Sequence, residues 1–389
     1  MEEHLFIACS MGDVDAVKKF LSHPKINFNW KDPFGQTYFQ AACFHGHTEI
    51  VKLLLKNKKV NVNQVNRVGS SGFHVACSNG QTEVVKLLVK DKRIDINKPV
   101  SDTTTPLHAA CFNGHAEVVK VLLGDERLKI NIENDDKHTP FYVSCSFYQT
   151  EIVKLLLNDS RTDINMVNKD GWTPFFSACG GGDIGLAKLL LGDQRVDVNK
   201  QNNDGDTPFY VACEEDQIEI VKLLLNDERV DINLANLENR TPVNVACGFG
   251  YTDIVKLLLN DPRAEIKKPN SFGATPFYNA CCFGHLEIVE CILASGKEMN
   301  INAKDIYGKS AFGMVKDRSK STQKYDCESE QDFQITKKNC LKIVELLEAY
   351  KKDALGTRTK LREKHGSFGK FFLFFFLFFF FFFFLLLWN

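Results

Sequence analysis

An all-α solenoid, built from stacked pairs of short antiparallel helices with β-hairpin-like loops between the pairs, is what this 389-residue chain is expected to form. Three observations lead there. Thr-Pro recurs at Thr105-Pro106, Thr139-Pro140, Thr173-Pro174, Thr207-Pro208, Thr241-Pro242 and Thr275-Pro276, always 34 residues apart, with Thr37 and Ser71 in register upstream and Ser310 one residue late downstream. Nine of the 13 cysteines (Cys9, Cys43, Cys77, Cys111, Cys145, Cys179, Cys213, Cys247 and Cys281) share one slot of that period, six residues after the Thr position. Each period also holds two apolar stretches at helical spacing, both too short to persist alone in water, so stacking on neighbours must bury them.

The copy at residues 103–136 shows the unit in order. Thr105 caps a helix whose first position is Pro106, where no N–H is needed. Leu107, Ala110 and Cys111 follow at i, i+3 and i+4 on one face. Gly114 then stops the helix at positive φ. A second helix starts near Ala116 and carries Val118, Val119, Leu122 and Leu123, with Glu117 and Lys120 paired on its solvent side. Asp125, Arg127 and Ile130-Asn131 lead through a turn to the next Thr-Pro.

The array is expected over residues 1–350. Residues 1–30 read as a half unit. Residues 310–350 read as an interrupted unit, in which a polar insertion at 317–338 precedes the second helix restored at Leu341–Leu347. Terminal units of this kind keep a polar outer face. Tyr148 and Asp216 replace the helix-ending Gly, and a non-Gly residue at positive φ costs on the order of 1 kcal/mol. Gly180-Gly181-Gly182 and Gly185 predict a soft joint over residues 180–186.

Composition excludes several classes of function. The formal net charge is −1, so no nucleic-acid partner is expected. The acidic start Met1-Glu2-Glu3-His4 argues against a signal peptide. Cysteines next to Ala42, Ala76, Ala110 and their equivalents are close-packing positions. Equivalent helices about 8–10 Å apart hold them beyond the ~7 Å reach of a disulfide, so reduced thiols and a cytoplasmic location are expected. His45-Gly46-His47 and Cys281-Cys282 with His285 have metal-like spacing, but they fall in ordinary repeat slots, and no metal or cofactor is expected. No catalytic residues stand out. Stretches outside the repeats reach only about 20 residues, below the ~50 residues of a domain.

With these residues in view, the chain resembles the ankyrin-repeat proteins. Thr105-Pro106-Leu107-His108-Ala109-Ala110, Gly114-His115 and Glu117-Val118-Val119-Lys120-Val121-Leu122-Leu123 match that signature slot by slot, in about nine copies. The resemblance implies a non-catalytic, monomeric scaffold or adaptor that binds protein partners along a concave groove and at loop tips. A targeting subunit of an enzyme complex is an alternative. The units depart from the family in running to 34 residues rather than 33, and in three copies Thr-Pro-Phe-Tyr places Tyr142, Tyr210 and Tyr278 in the His slot, where a hydroxyl could take over the His hydrogen bond.

Candidate partner-binding residues come from the slots that vary while structural slots do not. Phe44, Phe112, Phe147, Phe249 and Phe283 fall at the groove-facing end of the first helix, and Trp172 falls at a loop tip. Exposed aromatics there are typical interface anchors. Asp102, Asp136, Asp170, Asp204 and Glu238 precede each Thr by three residues at the loop tips, either as turn chemistry or as an acidic recognition stripe. A further ladder, Arg93, Arg127, Arg161, Arg195, Arg229 and Arg263, is matched by an Asp two residues earlier in each copy. One repeat of separation would let each Arg reach its neighbour's Asp.

Residues 351–370 read as a basic linker, and 371–389 as an apolar tail in which Phe371 to Leu387 is unbroken Phe and Leu. Seventeen such residues rise about 26 Å as a helix, near the lower limit for a membrane span. Residues 371–388 therefore read either as a membrane anchor that leaves the repeats in the cytoplasm or as a T-rich genomic tract read as coding sequence.

Overall fold

The computed structural model describes residues 1–322 and 329–365, which contain 21 helices. The chain divides into two compact units, Met1–Ala178 with Gly192–Val196, and Cys179–Leu191 with residues 197 onward. Their boundary runs beside the glycine run 180–182.

In the first unit the helices are α1 (Glu2–Met11), α2 (Val14–Leu21), α3 (Tyr38–Phe44), α4 (Thr48–Lys56), α5 (Gly72–Ser78), α6 (Thr82–Leu88), α7 (Pro106–Phe112), α8 (Ala116–Leu123), α9 (Pro140–Ser146) and α10 (Thr150–Asn158). The boundary crosses α11 (Pro174–Gly180). The second unit holds α12 (Ile184–Leu191), α13 (Pro208–Glu214), α14 (Ile218–Leu225), α15 (Pro242–Phe249), α16 (Thr252–Asn260), α17 (Pro276–Cys282), α18 (Leu286–Ser295), α19 (Ala311–Lys320), α20 (Glu330–Lys352) and α21 (Ala354–His365). Within each unit the first helices of successive pairs stack in one layer and the second helices in another: α1, α3, α5, α7 and α9 against α2, α4, α6, α8 and α10, then α13, α15, α17 and α19 against α12, α14, α16 and α18. Residues 1–30 carry a full pair, α1 and α2. The loops between pairs are turns, with isolated bridges Val65–Ser71 and Lys304–Ser310 among the described residues.

Each first helix starts as its sequence dictates. The Thr hydroxyl accepts the N–H three residues on, as in Tyr142 to Thr139 at 3.1 Å and Tyr210 to Thr207 at 3.0 Å. The capping threonines are themselves buried, as are Phe39, Phe73, Phe141, Phe175, Phe209 and Phe277, two residues further along. All nine ladder cysteines are buried, and none is in a disulfide. Burial pushes the Cys9 thiol up to about 12, so it stays protonated at neutral pH.

Polar side chains tie one repeat to the next, and the sequence did not make these ties visible. An asparagine ladder donates to one backbone carbonyl of the following repeat and accepts a backbone N–H two residues beyond it. Asn63 takes Arg93 O at 2.6 Å and Asp95 N at 3.1 Å; Asn199 takes Arg229 O at 2.7 Å and Asp231 N at 2.9 Å. The arginine ladder differs from expectation. Each Arg pairs with the Asp two residues before it, not with a neighbouring repeat, as in Arg93–Asp91 and Arg161–Asp159, both 2.6 Å. The tight turn holds the two side by side, and a free guanidinium N–H reaches the last turn of the preceding second helix, for example Leu55 O at 2.8 Å and Leu123 O at 2.7 Å. That contact satisfies carbonyls the helix leaves open.

The His slot also works across repeats. Buried His108 accepts from Thr105 N at 3.2 Å through Nδ1, and its Nε2 lies 2.9 Å from His138 O. This fixes the neutral ring with the proton on Nε2. Gln40 reproduces both bonds, with Thr37 N at 2.8 Å and Ser70 O at 2.6 Å. The tyrosines do take part, through different partners. Tyr142 Oη bonds Ser177 Oγ at 2.8 Å, and Tyr278 Oη donates to Asp305 at 2.6 Å.

The last pair is elaborated. Of the polar insertion, the described residues are mostly helical: α19 runs to Lys320 and α20 starts at Glu330, capped by Ser329. Phe333, Cys340, Ile343 and Leu347 form the buried stripe of α20. Of the basic stretch 351–370, Lys351 and Lys352 end α20, and residues 354–365 form α21, which lies against α18. There Lys364 and His365 each meet buried Glu290 at 2.7 Å, and Arg362 Nε donates to Ala294 O at 2.8 Å. Opposite charge and open helix-end carbonyls give the basic residues their fixed places.

Burial lowers the His108 pKa to about 4, against about 6.5 for an unfolded histidine. The folded chain therefore resists a proton that the unfolded chain accepts, and stability present above pH ~6.5 is lost as pH falls toward 4. His108→Gln should keep both hydrogen bonds and remove about 2 kcal/mol of the stability difference between pH 7 and pH 5. Urea unfolding at the two pH values measures it. An unchanged difference would exclude His108 as a source of acid sensitivity.

Candidate protein-interaction surfaces

In most repeats a glycine ends the first helix at positive φ, such as Gly80 at 68° and Gly250 at 87°. A side chain there would be both strained and obstructed. An added Cβ at Gly80 would lie 2.7 Å from the His115 ring, and at Gly250 2.6 Å from the His285 ring. These rings belong to the following repeat, and they reach back to a carbonyl two residues before the glycine. His47 Nε2 lies 2.9 Å from Ser10 O, His115 Nε2 3.0 Å from Ser78 O, and His285 Nε2 2.9 Å from Gly248 O. Gln81, Gln149 and Gln217 donate in the same way, Gln81 to Phe44 O at 2.9 Å. Gly and His or Gln, 35 residues apart, form a staple between repeats. The histidines with metal-like spacing, His47 and His285, serve this structural purpose. No cluster of metal-ligating residues occurs among the described residues.

Two glycine slots hold other residues, and both take positive φ: Tyr148 at 56° and Asp216 at 52°. The positions 35 residues on, Asp183 and Tyr251, are the ones in this series that are neither His nor Gln. The staple's two halves are thus lost together. Thr103, Lys137 and Asn239 also have positive φ at loop tips, where other copies use Gly.

The candidate aromatics all reach solvent. Their exposures are 44% for Phe44, 50% for Phe112, 47% for Phe147, 39% for Trp172, 55% for Phe249 and 45% for Phe283. In the first unit Phe112 ends α7 and Phe147 caps α9, and their rings meet edge to face at 4.3 Å. Phe44 rests on His45 at 4.8 Å, and Trp172 stacks on Phe176 at 5.4 Å. Phe44 and Trp172 form no ring contact with the Phe112–Phe147 pair. In the second unit Phe249 stacks on Tyr251 at 5.7 Å, and Phe283 lies 6.3 Å from His285. Phe249 and Phe283 both line a cleft of about 1010 Å³, together with Phe272, Tyr278, Arg318 and Thr336.

Asp102, Asp136, Asp170, Asp204 and Glu238 are exposed at the loop tips. In the last four of these turns the fold is made by Asn134, Asn168, Asn202 and Asn236, whose Oδ1 accepts N–H groups two and four residues on, as Asn236 does from Glu238 and Arg240, both at 3.0 Å. In the first, where Val100 stands in the Asn slot, Asp102 Oδ1 itself accepts from Thr104 N at 3.1 Å. Asp136 pairs with Lys169 at 3.1 Å and Glu238 with Arg240 at 2.9 Å. Their backbone also links tips: Leu237 N donates to Asp204 O at 2.9 Å and Ser271 N to Glu238 O at 2.8 Å. Exposed Phe34, Leu237, Phe272 and Tyr307 add apolar surface to these loops. Leu237 was missed from sequence because a lone leucine in a loop carries no periodic signal.

The chain whose repeats show these Thr caps, helix-ending glycines and two stacked helix layers is matched by a family model for ankyrin repeats at residues 5–100, 73–166, 149–236 and 228–305. The chain belongs to the ankyrin-repeat family. No curated protein matches it. Ankyrin repeats generally serve as protein–protein interaction modules rather than catalysts. In this ankyrin array no helix among the described residues is long and apolar enough to cross a membrane, and the tail at 371–388 lies outside them.

Tyr148 offers a clean test of the glycine slot, because its side chain is exposed and its backbone is not suited to it. Tyr148→Gly should stabilise the chain by about 1 kcal/mol, seen as a higher urea midpoint with unchanged slope. A lower midpoint would show that the tyrosine ring contributes packing that outweighs the strain.

Proposed function

We propose that the protein is a non-catalytic adaptor that captures protein partners on the exposed aromatics at the ends of its first helices. The observation that carries this reading is the Phe112–Phe147 pair. Two neighbouring repeats each place a large ring in solvent at the end of the first helix, Phe112 seven residues after its Thr and Phe147 eight, while the apolar side chains two residues after each Thr, Leu107 and Phe141, are buried. Exposing such rings has no benefit for folding, and desolvating them against a partner supplies binding energy. The buried thiols, none in a disulfide, support a reducing, cytoplasmic setting. In proximity labelling with the full chain, Phe112→Ala with Phe147→Ala should lower capture of specific partners about tenfold at unchanged melting temperature. An unaltered partner set would refute the role of this pair.

A second reading keeps the adaptor and tethers it. Phe371 to Leu387 is long enough, at about 26 Å as a helix, to reach across most of a bilayer core, and the basic residues before it favour repeats on the cytoplasmic side. Removing 371–389 should move the protein from the membrane to the soluble fraction. Equal fractionation of both forms, or a mature product lacking this segment, would reject the tether.

A further inference from the structure

One joint in the second unit combines three departures from the repeat pattern. Asp216 holds positive φ where glycine would cost less. Tyr251 stands in place of the His or Gln that would staple back to this repeat. Glu214, Glu215 and Asp216 fill slots that carry Phe112, Asn113 and Gly114 in the reference repeat. A joint that forgoes both a favourable backbone and an inter-repeat hydrogen bond has traded structure for surface chemistry.

That chemistry is specific. Glu215 and Asp216 are exposed and Glu214 is half-buried. Burial raises the Glu214 carboxyl, and Asp206, Glu215 and Asp204 raise it further. Arg240 opposes them, but Arg240 is itself held by Glu238 at 2.9 Å. Burial likewise raises the Tyr251 hydroxyl, with Asp216, Glu215 and Glu214 adding to it, so that ring lies within the field of the three carboxylates. Tyr251 stacks on Phe249, which also lines the cleft with Phe272, Tyr278 and Phe283. Crowded carboxylates favour a neighbouring cation, the Phe249 and Tyr251 rings can stack with a guanidinium or ammonium, and the cleft beyond them accepts an apolar side chain.

Resting on the adaptor reading, we propose that this joint docks a basic segment of a partner protein, its Lys or Arg side chains set against Glu214, Glu215 and Asp216 and an apolar anchor in the cleft beside Phe249. The carboxylates disfavour an acidic peptide or a nucleic acid in the same place.

The test uses the full chain as bait for displayed random peptides. Enriched sequences should combine Lys or Arg with a leucine or aromatic residue, and a synthetic peptide of that sequence is then the probe for fluorescence anisotropy. The decisive variant is Asp216→Gly with Tyr251→His. It rebuilds the staple, so it should raise the melting temperature while weakening the probe about tenfold. Phe249→Ala should weaken it comparably, and added salt should weaken the wild-type complex. Enrichment of acidic peptides, binding of an oligonucleotide at this joint, or equal probe affinity in the rebuilt variant would overturn the proposal. A probe that depends on Phe112 and Phe147 but not on Asp216, Tyr251 and Phe249 overturns the proposal while leaving the adaptor reading intact. Indifference to both patches counts against both.

Discussion

The contact between one repeat and the next is the constraint that everything else obeys. Helices of seven to ten residues make up most of the array, and helices that short do not persist in water alone. Each repeat therefore hands its apolar faces to its neighbours, and with them its unsatisfied backbone groups. Asparagine amides reach forward to the next turn, while arginine and the His or Gln of the staple reach back to helix-end carbonyls. Because these bonds are made at fixed register, the residues that make them recur in most copies, and variation concentrates in slots that make no such bond or where the staple is lost. The exposed aromatics lie in slots of the first kind, and the acidic joint lies where the staple is lost.

Much of this was legible in the sequence, because it is local. The Thr cap, the Pro at the first helical position and the αL glycine each act within a few residues, so the helix starts and stops could be placed from Thr105, Pro106 and Gly114. The nine-cysteine slot announced a buried position. What remained hidden depends on residues about 30 to 38 apart in sequence. Asn63 looks like an ordinary turn residue until Arg93 O and Asp95 N are seen beside it. Arg93 looks as if it should bridge repeats through Asp, yet it keeps its own Asp91 and bridges through Leu55 O instead. Phe333, Cys340, Ile343 and Leu347 form one helical stripe, but only the part from Leu341 to Leu347 read as helix, and the polar residues around Phe333 read as an insertion. The basic residues of α21 gave no hint of Glu290, a buried acid about 74 residues away.

The candidate surfaces were legible to a different degree. Variation inside one chain singled out Phe44, Phe112, Phe147, Phe249 and Phe283, since a repeat protein supplies its own comparison set. It could not say which of them touch. Phe112 and Phe147 meet, whereas Phe44 rests on a histidine and Trp172 on a buried phenylalanine. Apart from Asp102, which makes its own turn bond, the loop-tip acids were legible as exposed but not as bystanders to the turn, which the asparagines hold. The coupled loss of Gly and His at Asp216 and Tyr251 was present in the sequence all along, but only the packing of His285 over Gly250 shows why two positions 35 residues apart should change together.

The asparagine ladder has a consequence for how such a chain grows. Asn63 and Asn199 ask the same of their successors, a carbonyl and an amide of the main chain, which every residue other than proline offers whatever its side chain. Within either unit, a whole 34-residue segment duplicated in frame would find its neighbours' acceptors and donors already in place. Lengthening by that increment is structurally neutral, while any other increment would break the spacing at both seams, so the gene can gain or lose copies without inventing a new junction.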